Sequence, residues 1–374
     1  MIHRLFDPKT YRSVRKPLLQ ATTLPPECYT SPEFFEREVE RIFLCHWQFV
    51  GREEQAAGAG DYFCHEGVGG SVIVLRTRDM QLKAYANSCR HRGSRLLSGS
   101  GHCKRIVCPY HSWCYQLDGS LAATPGMQEA QDFDPRDYPL LELPLEIWAG
   151  FIFIHYGTPT VPLSSHLGNM ADKFASHRCE QMRHVGSLEF EIDANWKLLA
   201  ENALEAYHTG TVHRATLGPQ ASSVVETTGN WTALLVEDKE SVATLPGDEK
   251  PFPHIEGLDP ESRAGAFFTM VFPSTQLVFA QDCAWWLAFS PVAADRTRLT
   301  LAACFPQSTI DLPEFDEKVQ LYFERWRLAT AEDNAICEAQ QEGQQFARTP
   351  GRFAPSEFAV HALANWVLDR VIDN

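Results

Sequence analysis

No run of 18 consecutive apolar residues occurs anywhere in the 374-residue chain, so the sequence offers no transmembrane helix. The opening stretch, MIHRLFDPKTYRSVRKPLLQ, lacks the apolar core that a secretory signal needs. A cytoplasmic protein without membrane contact is expected. Basic residues are scarce: Lys and Arg total 33 against 48 Asp and Glu, a formal net charge of -15. No basic stripe forms, which argues against a nucleic-acid partner. No GxGxxG stands between a strand and a helix, so no dinucleotide site is expected. Internal repeats and low-complexity tracts are absent. The eleven cysteines are odd in number and scattered from Cys28 to Cys337, which suits core thiols or metal ligands better than a disulfide frame.

What is present is a globular composition, 44% hydrophobic and 22% charged. The length exceeds what one core usually organises, so two domains are expected. SPEFFEREVERIF reads as the first clear helix, with Ser31 as its cap, Pro32 in its first turn and Phe35, Val39, Ile42 and Phe43 as an apolar stripe. From Trp47 to about His155 the texture is short strands: DYFCHEGV, SVIVLRTR, LKAYANSC, RIVCPYHSW and GFIFIHYG. YQLDGSL carries an Asp-Gly hairpin signal. Beyond Tyr156 the pattern is α+β. A strand runs into a helix through EFEIDANWKLLAENALEAYHTG, antiparallel strands follow in TMVFPSTQLVFAQDCAWWLAFSPV and RTRLTLAACFP, and a long helix begins near DLPEF.

Two tight ligand pairs stand out in the β region: Cys89 with His91, and Cys108 with His111. A Cys2His2 zinc site is one reading, although zinc fingers usually pair like with like. A Rieske [2Fe–2S] cluster is the other, because one of its irons takes two thiolates and the second takes two imidazoles. Two loops that each supply one Cys and one His meet that demand. Cys103 and Cys114 fit neither pair.

The second constellation lies in ENALEAYHTGTVHRATLG. His208 and His213 are five apart, which on an unbroken helix places them about 140° apart. Gly210 between them can bend the chain, so that His208 ends a helix and His213 folds back to the same ion. Two imidazoles and one carboxylate make the facial triad of non-haem Fe(II) oxygenases. Asp333 is the expected carboxylate. It shares three- and four-residue steps with Val319, Phe323, Trp326, Thr330 and Cys337, which puts it on the apolar face of its helix. Glu332 projects towards a more charged face.

CRHRG and CPYHSWCYQLDGSL resemble the cluster loops of Rieske non-haem iron oxygenases, large (α) subunits. Asn202, Glu205, Tyr207, His208 and His213 match that family's N-x-x-E-x-Y-H-x4-H iron motif, and EDNAICEAQQEG resembles the segment that supplies its aspartate. Ser94 and Tyr110 stand where cytochrome-complex Rieske proteins carry extra cysteines. Ser112 stands where the family usually has glycine. The resemblance implies an α+β fold: a helical segment at 1–45 on the catalytic domain, an all-β Rieske domain at 46–156, and a catalytic domain at 157–374 with an antiparallel sheet flanked by helices (helix-grip, TBP-like). It implies a cluster on Cys89, His91, Cys108 and His111, and mononuclear Fe(II) on His208, His213 and Asp333. It also implies that Glu205 links the iron site to a cluster histidine, His111 or His91, of a neighbouring subunit in a homotrimer.

The function implied is the oxygenase component of a two-component monooxygenase. A separate flavin/iron-sulfur reductase would supply it with electrons from NAD(P)H. The Glu-x-Tyr-His form is similar to the quaternary-ammonium branch (carnitine, glycine betaine, choline and stachydrine oxygenases), where hydroxylation leads to C–N cleavage. Thr209 replaces the cysteine that often follows Tyr-His in that branch. Ring hydroxylation of a small aromatic acid or amine is the alternative, and a Rieske-type electron carrier a further one. Trp285 or Trp286, but not both, can face a substrate pocket from one strand.

Overall fold

The computed structural model describes residues 2–247 and 251–372. They form two compact units, one running from Phe43 to Leu163 and the other made of the residues up to Ile42 together with those from Ser164 onward.

The smaller unit is built from strands β1 (Gln48–Arg52), β2 (Asp61–Gly67), β3 (Gly70–Arg76), β4 (Leu82–Ala86), β5 (Ser100–His102), β6 (Ile106–Val107), β7 (Cys114–Tyr115), β8 (Leu121–Ala123), β9 (Glu142–Leu143), β10 (Leu145–Trp148) and β11 (Phe151–Ile154). They pair as β1-β11-β10, β5-β2-β3-β4-β9 and β6-β7-β8. Strand β3 explains the layering. Its side chains alternate between faces, so Val72 and Val74 enter one apolar cluster with Ile152 and Ile154. Ile73 and Leu75 enter another with Cys89, Cys108, Trp113 and Tyr115. A strand buried on both sides reads as a continuous apolar run, which is why SVIVL shows no alternation. The Asp-Gly hairpin forms as expected: Cys114 pairs with Ala123 and Tyr115 with Leu121, with Gly119 at φ +84°.

The larger unit centres on an antiparallel sheet of β12 (Met182–Ile192), β13 (Ser222–Val224), β14 (Trp231–Glu237), β15 (Gly265–Val271), β16 (Thr275–Phe279), β17 (Ala284–Ala293) and β18 (Arg296–Pro306). Their order is β12-β18-β17-β16-β15-β14-β13. Four helices matter to the site: α1 (Pro32–Glu38), α2 (Trp196–Asn202), α3 (Phe315–Gln344) and α4 (Phe358–Val371). Helix α3 lays Phe315, Val319, Tyr322 and Trp326 on sheet residues Val278, Trp285, Leu301, Ala303 and Phe305, so the long helix is held against the sheet. No helix among the described residues is long and apolar enough to cross a membrane.

Two local expectations need correction. Ser31 caps α1 by accepting from the Phe34 amide, and Ile42 and Phe43 are buried as expected, but upstream of them the buried positions are Phe34 and Glu38 while Phe35 and Val39 are half-buried. A π-helical turn at Val39–Phe43 shifts the phase that the Phe35 and Val39 stripe assumed. Helix α2 ends at Asn202, not at His208. The residues that follow form irregular turns, in which the Glu205 side chain accepts from the His208 amide at 3.0 Å.

Helix α2 carries the chain into that segment, and it is held by polar groups as well as packing. Its cap, Asn195, accepts from the Lys197 amide at 3.0 Å and donates to the Ala294 carbonyl at 2.6 Å. Lys197 lies 2.8 Å from Glu38, with both side chains fully buried. That approach lies off the hydrogen-bond direction at Glu38 Oε1, while Oε2 accepts from Trp196 Nε1 at 3.1 Å. Burial raises the Glu38 pKa, and Lys197 and Trp196 oppose the rise. Removing one partner of such a pair leaves the other charge stranded. Lys197→Met is therefore expected to destabilise the larger unit by about 3–5 kcal/mol. Glu38→Leu/Lys197→Met should recover much of that loss, as read from a double-mutant cycle in denaturant unfolding.

Candidate metal centres

The two Cys-His loops of the smaller unit share one backbone design. The Cys89 amide donates to the Ser94 carbonyl and the Gly93 amide to the Cys89 carbonyl; the Cys108 amide donates to Trp113 and the Ser112 amide to Cys108. Each cysteine is thus gripped by the residues four and five places on. The fourth residue sits in the left-handed region in both loops, with Gly93 at φ +73° and Ser112 at φ +61°. Glycine tolerates that conformation and serine does so at a cost, which gives the physical reason a glycine suits position 112.

These loops divide four donors between depth and surface. Cys89 and Cys108 are buried, whereas His91 and His111 are half-buried. The two imidazole rings lie 4.8 Å apart, and His91 stacks on Trp113. Tyr115 lies 3.3 Å from Cys89 Sγ and accepts from the Arg90 amide. At Cys108 burial raises the pKa, but the Tyr110 and His111 amides, with Cys89 and Ser94, outweigh it and hold the thiol below its ordinary range. His111 Nδ1 is buried without a hydrogen-bond partner. An orphaned imidazole nitrogen beside two buried sulfurs, one of them favoured as thiolate, fits ligation of a cluster.

In the larger unit His208, His213 and Asp333 each bring one ligand atom to within 4.8 Å of the others. Among the described residues no other set of three His, Cys, Asp or Glu converges so closely.

The orientation of the imidazoles is set from outside. His208 Nδ1 lies 2.6 Å from Glu205 Oε1, and His213 Nδ1 lies 2.8 Å from Glu332 Oε2. Each carboxylate accepts the Nδ1 proton, which leaves Nε2 as the free donor of both rings. Those Nε2 atoms lie 3.4 and 3.1 Å from Asp333 Oδ1. Oδ1 is nonetheless buried without a directed hydrogen bond, and the three atoms lie close enough together to hold one ion. Burial lowers the His208 pKa, but Asp333 and Glu205 outweigh it and bring it to about 9. His213 is raised by the same contest with Asp333 and Glu332. At Asp333 burial raises the pKa, and the two imidazoles outweigh it and lower it. A metal bound here displaces the proton these groups share.

The residues read from the sequence are thus brought together in two groups: Cys89, His91, Cys108 and His111 in one unit, and Glu205, His208, His213 and Asp333 in the other. Glu332 was missed as a site residue. It sits one helical step from Asp333, and its charged sequence neighbours pointed it towards solvent. The cleft around the triad is lined by Phe268, Trp285, Phe289, Leu299 and Arg325 among others. Trp285 faces it, while Trp286 lies near His184.

Residues 179–373 match the ring-hydroxylating α-subunit (catalytic domain) family, and residues 46–138 match the Rieske [2Fe-2S] domain. The chain belongs to the ring-hydroxylating α-subunit family. Its cofactors are accordingly a Rieske [2Fe–2S] cluster and a mononuclear iron. This α-subunit is 35% identical over 196 residues to the carnitine monooxygenase oxygenase subunit of Acinetobacter pittii, covering 52% of this chain and 53% of that one. It thus spans about half the length of that relative. It is 28% identical to the chloroplastic choline monooxygenase of Spinacia oleracea, covering 98% of this chain and 81% of the relative. A solved quaternary ammonium Rieske monooxygenase superposes with a TM-score of 0.81 at 26% identity, covering 94% of this chain and 95% of that one.

Removing the outer carboxylate at His213 tests the orientation argument. Glu332→Ala is expected to weaken Fe(II) binding about 10–100-fold and to leave the visible spectrum of the cluster unchanged, as measured by chelator competition.

Proposed function

We propose that the chain is the oxygenase component of a Rieske non-haem iron monooxygenase that hydroxylates a small quaternary-ammonium compound, carnitine- or betaine-like, with C–N cleavage as the outcome. The observation that carries this reading is the convergence of His208, His213 and Asp333 in a cleft with aromatic walls, on a chain that also holds the paired Cys-His loops. In this reading Cys89, His91, Cys108 and His111 hold the cluster, and His208, His213 and Asp333 hold the iron. Three protein ligands leave coordination positions open, and iron so held supplies O2 activation with electrons delivered one at a time.

The chain's own groups do the rest. Glu205 and Glu332 hold the imidazole protons at Nδ1. The aromatic faces of Phe268, Trp285 and Phe289 favour a cationic head group. Glu205, in contact with His208 through both side-chain oxygens, is the proposed bridge to His91 or His111 of a neighbouring subunit in a homotrimer. The solved quaternary ammonium Rieske monooxygenase is a protein of carnitine oxidation and inter-subunit electron transfer, and the likeness to it supports both parts of the reading. The division into residues 1–45 and 157–374 for the iron domain and 46–156 for the cluster domain is supported by the two compact units. A separate NAD(P)H-fed flavin/iron-sulfur reductase is the proposed electron source. A cytoplasmic location suits a chain whose eleven cysteines form no disulfide.

The test is reductase-coupled oxygen uptake with product analysis, in which carnitine, glycine betaine and choline are compared with benzoate and aniline. Product from a quaternary amine supports the reading; product only from the aromatic compounds replaces it with ring hydroxylation. His213→Ala is expected to keep the cluster spectrum and abolish turnover, so continued turnover would defeat the iron assignment. Glu205→Gln is expected to leave both metals bound and to block reoxidation of the cluster in single turnover.

A further inference from the structure

Arg325 lies on α3, two turns before Asp333, and lines the same cleft as the triad. It is 7% exposed. Its Nε is sealed from solvent without a hydrogen-bond partner, and among the described residues its guanidinium forms no hydrogen bond or ion pair. The guanidinium lies over Trp285, with its carbon 5.8 Å from the ring centroid. Among the described residues no other lysine or arginine lines the cleft. The cleft's two carboxylates, Glu205 and Asp333, are already committed to the imidazoles of His208 and His213.

A cation taken out of water without a counter-charge is costly. Burial lowers the pKa of Arg325 to about 10, against the opposing pull of Asp333 and Cys283, so it remains charged at neutral pH. The protein therefore keeps an unpaired positive charge beside its iron site. A planar guanidinium offers two parallel donors that match a carboxylate. The same cation repels a ligand whose only charge is positive.

We propose that Arg325 binds a carboxylate on the substrate, so that the cleft selects a zwitterion with its cationic head on the aromatic wall and its anionic end on Arg325. This rests on the cleft being the oxygenase site. It goes beyond that reading by excluding substrates that carry the ammonium group alone.

The experiment uses the holoenzyme with both metals, as wild type, Arg325→Gln and Arg325→Lys. Matched probes differ in the carboxylate: glycine betaine against choline, γ-butyrobetaine against butyltrimethylammonium, and benzoate against benzyl alcohol. Binding is read from tryptophan fluorescence, turnover from product, and integrity from iron content and the cluster spectrum. Wild type is expected to bind the carboxylated member of a pair at least about tenfold more tightly, the scale of one charge-assisted hydrogen bond. Arg325→Gln should lose about 10–100-fold for that member and little for its partner. Arg325→Lys, which keeps the charge without the fork, should lose less but with the same selectivity. Should the glutamine variant not fold, the lysine variant decides alone.

Equal losses for both members, a preference that survives the substitution, no preference in wild type, or no binding of any probe would each overturn the proposal. The two readings fail separately. Turnover of benzoate alone, with a preference that depends on Arg325, keeps the anion site and removes the quaternary-ammonium function. Turnover of quaternary amines without that dependence does the reverse.

Discussion

Two imidazoles must present the same nitrogen to one point, and the larger unit is organised around that requirement. Neutral histidine has two tautomers, and a hydrogen bond to one nitrogen selects which lone pair is free. Glu205 and Glu332 take the Nδ1 protons of His208 and His213, and Asp333 closes the triangle on the Nε2 side. Thr216 donates to Glu332 at 2.7 Å, so the outer carboxylate is itself held. Adjacent residues of one helix thus play two parts: Asp333 faces the Nε2 side of both imidazoles and Glu332 holds the His213 ring at Nδ1.

That arrangement depends on anchoring α2 against α3. The turns after Asn202 are tied by short-range backbone bonds, such as those of the Val212 amide to His208 and the His213 amide to Thr209, but form no continuous helix. Their position follows from a buried helix, fixed through Asn195 and the Glu38–Lys197 pair, and from the Cys337 thiol of α3, set against the Leu198 carbonyl of α2. The smaller unit solves its problem differently. It uses two backbone loops of the same hydrogen-bond pattern, each turned by a left-handed residue, with buried sulfurs behind half-buried imidazoles. Both solutions hold reactive side chains on backbone that is fixed elsewhere.

The sequence was most legible where chemistry demands particular side chains at short range. Cys-x-His and Cys-x-x-His lie on short segments, so their spacing carries the loop geometry almost directly. The strands of the smaller unit and the long α3 helix were readable because apolar runs and helical periodicity are local signals. Legibility failed where tertiary context sets the phase. The π-helical turn after α1 moved the buried side to Phe34 and Glu38. The early end of α2 replaced an expected helix with turns stabilised by Glu205.

The sequence by itself determined which atoms were available for ligation and, through Asp333's place in a helical repeat, which carboxylate could join two distant histidines. Only the tertiary structure decided that Glu332 turns back to His213, that Trp285 rather than Trp286 faces the cleft, and that Arg325 lies buried there beside Trp285 with its Nε unbonded. The reason is physical. Residue type and spacing fix what a side chain can donate or accept, but tautomer, burial and the lack of a counter-charge depend on what distant segments bring alongside it.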